Sequence, residues 1–255
     1  MKSTCLTPVL FALLAAGCIK QQGEDPDETT CNNIRQVTLT SNSPVTIGGT
    51  IHFSAPEVGG YRIYNWRGPR FFTSQEPDNV LTDAKTEQEG WYYLELSNPS
   101  CGSKIDSVYI DIKLQQGTPS CTIPNNTCQF SNQGTDTYST VRKRIDPSYH
   151  HLSLYSYGTN ADIAVLFHDH WLTKEPEDGI YKTVNSSAFD QIDYNYNKVF
   201  VTTTKNSIFW SSGVSQNVYV SHVNGKLQVR FCSLVMGGYN GVSFTTQASA
   251  TLTEQ

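Results

Sequence analysis

The chain has 255 residues and a formal net charge of −5, with 38% of its residues apolar, 11% aromatic and only 16% charged. So many aromatics with so few charges exclude an intrinsically disordered chain, and 27 Thr and 25 Ser in place of abundant Ala, Glu, Lys and Leu exclude a coiled coil. The acidic balance gives no electrostatic case for a nucleic-acid partner, and the length suits about two domains of common size.

Lys2 precedes a short apolar stretch, Val9 to Ala16. The stretch falls well below the ~20 apolar residues of a membrane helix, so residues 1–17 read as a signal peptide. It ends in Leu14-Ala15-Ala16-Gly17-Cys18, which resembles the lipobox of bacterial lipoproteins, with Ala15 where Leu is commoner. The resemblance implies cleavage before Cys18 and acylation of its thiol, making a lipid bilayer the first expected partner. Several acyl chains on one residue suffice for stable attachment. Residues 18–30 include Glu24-Asp25-Pro26-Asp27-Glu28 and read as a flexible acidic tether that cannot bury a core. A charged patch after the lipid cysteine also resembles the export signal of Bacteroidota surface lipoproteins, although Glu24-Asp25 lies further from Cys18 than is usual there. That resemblance implies an outer-membrane anchor with the chain exposed at the cell surface.

Loss of Cys5 with the leader and of Cys18 to lipid leaves Cys31, Cys101, Cys121, Cys128 and Cys232 as disulfide candidates. An odd count requires an unpaired thiol or an intermolecular bond. Cell-envelope proteins form disulfides by default, and Cys121 and Cys128 stand too far apart for a CxxC redox or zinc motif.

From Gln36 onward no segment of ten residues carries a 3.6-residue apolar period, and short alternating runs broken by Gly, Pro, Asn and Asp predict an all-β chain. In chain order, Ile51, Phe53 and Ala55 share one face, as do Tyr64 and Trp66, then Tyr92, Leu94 and Leu96, then Val108, Ile110 and Ile112. Such alternation means antiparallel strands with one buried and one wet face. Residues 36–113 resemble the PKD-like or immunoglobulin-like module of Bacteroidota surface proteins. The matching words are Ser43-Pro44-Val45, Gly48-Gly49-Thr50-Ile51, Tyr64-Asn65-Trp66-Arg67-Gly68-Pro69, Phe72-Thr73-Ser74, Gly90-Trp91-Tyr92 and Ser100-Cys101-Gly102-Ser103. The resemblance implies an Ig-like domain over 31–115, with Trp66 as the core tryptophan and Tyr92 as the corner tyrosine. Such modules often carry a cysteine after Ser-Pro-Val, where this chain has Thr46; Cys101 must then find another partner, and Cys31 is the nearest. The implied role is a spacer or recognition module.

Leu114-Gln115-Gln116-Gly117-Thr118-Pro119 reads as a linker, and 121–255 as a second all-β domain. Its predicted strands are Ser148–Tyr157, Ala161–Phe167, Gly179–Val184, Lys198–Thr204, Val218–Val223, Lys226–Met236 and Val242–Thr253. Asn224-Gly225 between two alternating runs predicts a tight hairpin. An antiparallel sandwich or partly closed barrel of eight to ten strands is expected, with the pairing of Cys121, Cys128 and Cys232 left open. Asp178-Gly179-Ile180-Tyr181 and Asn224-Gly225-Lys226 also resemble uncharacterised C-terminal domains of Bacteroidota lipoproteins, which implies fold and address only.

Candidate chemistry is sparse. His168 and His170 stand two apart at the end of a strand and so project to one side, where they can share a metal with His150, His151 or His222; a strand end facing water is the simpler reading. Asp193-Tyr194-Asn195-Tyr196-Asn197 starts like a calcium loop but has Lys198 and Thr204 where Gly and Glu belong. Arg142-Lys143-Arg144 reads as a solvated strand face. Asp106-Ser107-Val108 resembles the O-glycosylation tripeptide of the same bacteria. No GxSxG, HExxH or phosphate-cradling loop is present, and no cofactor is expected. Aromatics remain: Trp91 and Tyr93 point away from the core set, while Tyr194, Tyr196, Trp210 and Trp171 fall at predicted strand ends and loops. Exposed flat rings suit sugar binding, so Tyr194, Tyr196 and Trp210 are the expected ligand contacts, with edge packing the simpler alternative. The leading expectation is a lipid-anchored, non-enzymatic binding or adhesion module with an extracellular protein or glycan partner. A glycan-capture lipoprotein serving an outer-membrane importer comes second, and a metal-dependent hydrolase centred on His168 and His170 third.

Overall fold

In a computed structural model, residues 28–58, 62–146, 151–158, 160–167, 175–189 and 196–255 are described. Cys18, His168, His170 and Tyr194 lie outside these residues. The described chain opens on helix α1 (Glu28–Arg35), so the end of the expected tether is helical. Two contacts fix it: Ile34 is buried in the first core, and Cys31 is disulfide-bonded to Cys101.

The strands of the first unit are β1 (Thr40–Ser41), β2 (Val45–Thr46), β3 (Ile51–Ser54), β4 (Ile63–Arg67), β5 (Thr73–Ser74), β6 (Asp78–Leu81), β7 (Gly90–Asn98), β8 (Gly102–Ile110) and β9 (Ile112–Lys113). They form a sheet β1-β3-β6 and a sheet β5-β4-β7-β8, with β2 and β9 paired in parallel. The alternating residues Ile51, Phe53, Tyr64, Trp66, Tyr92, Leu94 and Leu96 meet between the sheets and are buried. Phe53 stands edge-on to Trp66, ring centres 5.0 Å apart, and the Trp66 Nε1–H donates to the Glu76 carbonyl at 2.9 Å. The Tyr92 hydroxyl donates to the Gln88 carbonyl four residues upstream, at 3.1 Å. A buried tryptophan on a central strand of one sheet and a corner tyrosine are features of the immunoglobulin-like sandwich, and this unit has that fold.

The run Val108 to Ile112 is not one strand. β8 stays with β7, while Ile112 pairs with Val45 in the other direction of the fold. Asp111 marks the crossing: its carbonyl accepts from the Val45 N–H and its own N–H donates to Ser43 Oγ, both at 2.9 Å.

The second unit comprises β10 (Thr127–Phe130), β11 (Gly134–Thr137), β12 (Arg142–Asp146), β13 (His151–Tyr157), β14 (Ala161–Phe167), β15 (Gly179–Thr183), α2 (Ser186–Phe189), β16 (Lys198–Lys205), β17 (Ile208–Ser212), β18 (Asn217–Val223), β19 (Lys226–Tyr239) and β20 (Ser243–Thr253). The eleven strands belong to one sheet, ordered β11-β10-β20-β19-β18-β15-β16-β14-β13-β12, with β17 bridging β16 and β19. Because β17 pairs with both β16 and β19, the run β16-β15-β18-β19 closes on itself through it, and the sheet curls around one apolar core. This is the partly closed barrel rather than a second two-sheet sandwich, and β15 pairs with β16 in parallel.

Two local devices shape it. Asn224 and Gly225 both adopt positive φ, 53° and 75°, which lets the β18–β19 turn close with Val223 opposite Lys226. In β19 the register on β20 slips between Phe231 and Leu234. Residues three apart on a regular strand face opposite ways, yet here Val229, Phe231, Leu234 and Met236 are all buried; the bulge supplies the missing half-turn. It also carries Cys232, which is bonded to Cys121. Cys128 remains a free, buried thiol among the core side chains.

The linker is docked. Leu114 is buried with the second core, the Gln115 carbonyl accepts from the Ile180 N–H at 2.8 Å, and Gln116 Nε2 donates to the Asp178 carbonyl at 2.9 Å.

Candidate functional site

The β4–β7–β8 sheet buries one face and leaves the other bare. Its register aligns Asn65 with Glu95 and Ile105, Arg67 with Tyr93 and Ser107, and Trp91 with Tyr109. Because side chains alternate, these residues all emerge on the outer side. Ile105 is 64% exposed, Trp91 51% and Tyr93 48%, and Ile63 and Tyr109 are exposed beside them. Trp91 and Tyr109 meet edge to face, ring centres 5.3 Å apart. The Tyr109 hydroxyl donates to Glu89 at 2.9 Å; partial burial, that hydrogen bond and the carboxylate's charge push its pKa up to about 12. A cavity of about 300 Å³ opens on this face between Asn65, Arg67, Tyr93, Glu95 and Ile105. Large apolar side chains gathered on one exposed face mark an interaction surface, and rings beside amide, guanidinium and carboxylate groups suit a ligand with both flat C–H faces and hydroxyls.

The sequence-based contacts fare differently. Trp91 and Tyr93 face outward as their alternation requires. Ile105 and Tyr109 join them only through the β7–β8 register, which alternation within one strand does not give. Trp210 is not a surface ring: at 1% exposure it is packed in the second core, edge-on to Phe244 at 4.9 Å. β17 turns it inward because Gly238, opposite it on β19, leaves room; a Cβ there would lie 2.7 Å from the indole. Tyr196 is half-buried where the two units meet, its backbone N–H donating to Thr86 Oγ1 at 2.8 Å.

His222 Nδ1 pairs with Asp178 at 2.6 Å, and the His151 ring lies against Phe189. Among the described residues no group of three His, Cys, Asp or Glu side chains is placed to hold a metal. The basic triplet is a strand face, with Lys143 ion-paired to Glu175 and Glu254 and Arg144 to Asp146. A second cleft, about 350 Å³, lies between the units beside Gly48, Lys85, Lys182 and Ser215.

No family model matches the chain, and no curated protein is similar to it in sequence. Among solved structures, murine CEACAM1b is similar at 12% identity and a TM-score of 0.28, over 86% of this chain and 99% of that one. The murine receptor complex of the mouse coronavirus receptor-binding domain gives 10% identity and a TM-score of 0.27, over 86% and 96%. The four N-terminal Ig domains of Dscam1 give 10% and 0.21, over 86% and 46%. Likeness at such scores carries nothing about function. The Ig-like assignment stands on the strand pairing, Trp66 and the Tyr92 corner.

Proposed function

We propose that this chain is a non-enzymatic binding module, held at a bacterial cell surface by lipid on Cys18, that meets its partner through the outer face of β4, β7 and β8. One observation carries the binding site: Ile63, Trp91, Tyr93, Ile105 and Tyr109 are all exposed on the outer face of one sheet, with Arg67 and Glu95 among them. The anchor rests on the short leader and the lipobox-like residues before Cys18, and the surface address on the acidic patch that includes Glu24-Asp25. A chain expressed with its leader in a Gram-negative host is expected to take up labelled palmitate, and Cys18→Ala is expected to abolish the label.

A glycan partner, delivered to an outer-membrane importer, is the second reading, favoured by the cavity beside Tyr93, where Asn65, Arg67 and Glu95 stand next to the ring. A glycan array probed with the whole chain and with a Trp91→Ala, Tyr93→Ala variant separates the two. Sugar binding lost in the variant assigns the face to a glycan. With no sugar bound, a photoreactive residue in place of Ile105 on displaying cells is expected to cross-link a protein; cross-linking to nothing overturns this assignment of the face.

A further inference from the structure

The second unit holds a lysine where lysines are almost never found. Lys205, the last residue of β16, turns inward in alternation with Val199, Val201 and Thr203 and is only 4% exposed. Its Nζ contacts Oδ2 of Asp136, which is 8% exposed and sits on edge strand β11 on the far side of the interior. The surroundings are apolar: the Phe130 ring centre lies 4.9 Å from Nζ, and buried Cys128 stands opposite Asp136 in the β10–β11 register. The Tyr138 hydroxyl, also buried, has no hydrogen-bond partner among the described residues and interacts electrostatically with Asp136.

We propose that Lys205 and Asp136 are joined by an intramolecular amide bond. Two full charges withdrawn from water are costly even when paired, and the amide keeps the contact while removing both charges. Condensation is unfavourable for free amine and acid in water, but groups held in contact react at an effective concentration of about 10⁵ M or more. The step is balanced without an oxidant or any added reagent. The ammonium passes one proton to the carboxylate, and neutral Nζ attacks Cγ. The Nζ–Cγ bond forms, a Cγ–O bond breaks, and that oxygen leaves as water with the transferred proton and a second one from Nζ. The link closes a span of 69 residues and ties β11, hydrogen-bonded to β10 alone, across the barrel to β16.

The test is the intact mass of the whole, reduced chain against that of Lys205→Met, corrected for the substitution. The natural chain is expected to be lighter by one water. Trypsin is expected to spare the bond after Lys205 and to release one branched peptide carrying both Lys205 and Asp136. Fragmentation of that peptide distinguishes the link from water lost as a succinimide at Asp178-Gly179, which leaves peptides unbranched. A natural chain with its full mass, cleaved after Lys205, overturns the proposal. Because that result is read on the natural chain, it does not depend on how a variant folds.

Discussion

Tyr92 shows how one side chain serves two ends in the first sandwich. Its ring is buried against Phe53 and Phe72, and its hydroxyl closes the turn back to Gln88. Tyr92→Phe keeps the ring and removes one net hydrogen bond, so chemical denaturation is expected to show a loss of about 1 kcal/mol. Burial pushes the Tyr92 pKa up to about 12, and drives those of Tyr138 and Tyr181 well above their usual value. An unfolded tyrosine loses its proton near pH 10. Between pH 10 and 12 the folded chain therefore binds more protons than the unfolded one, and stability falls as pH rises. A urea midpoint that declines from pH 9 to pH 11, and declines less steeply in Tyr92→Phe, is the expected record. Trp210 belongs to the same scale in the other unit. Trp210→Ala is expected to cost about 3–5 kcal/mol by cavity formation, and to leave any ligand of the Trp91 face bound in whatever protein remains folded.

At the scale of elements, what a strand reveals depends on whether its neighbours are regular. β3, β4 and β7 are legible because each has one wet face, so their apolar residues alternate. β8 and β9 defeat the same reading: Ile110 and Ile112 are both buried, but in strands that belong to different pairings, and no residue type announces the crossing at Asp111. β17 is hidden for a different reason. It follows a tight turn built from Asn206 and Ser207, both at positive φ, without the glycine that marks such turns, and its Trp210 reads as a loop aromatic. The candidate site is half legible on the same grounds, since Trp91 and Tyr93 follow from one strand whereas Ile105 and Tyr109 need two. The bulge in β19 has an energetic consequence. It presents Cys232 to Cys121 across 111 residues of sequence, a long closed loop. Replacing both cysteines by serine is expected to cost about 2–5 kcal/mol, visible as a lower melting temperature under non-reducing conditions.

At the scale of the whole molecule, the question is whether the two units hang on a free hinge, because that decides how the exposed face of β4, β7 and β8 is held relative to the second unit. Leu114 argues that they do not. It follows the last strand of the sandwich directly, yet it is buried with the second core, and its Cβ would meet any Cβ placed on Gly179 at 2.4 Å. The Gln115 and Gln116 bonds to Ile180 and Asp178 extend the same seam, and the Tyr196 to Thr86 contact closes it from the other side. Docking of the sandwich is thus tied to folding of the barrel. Leu114→Ala opens a cavity at the seam and is expected to destabilise the second unit by about 2–5 kcal/mol. Two residues inserted between Thr118 and Pro119 lengthen only the stretch beyond these contacts, and are expected to change stability by about 0.5 kcal/mol or less. Calorimetry of both variants checks the argument. Similar melting of Leu114→Ala and the natural chain would mean that the seam contributes nothing, and that the face is carried on a loose joint.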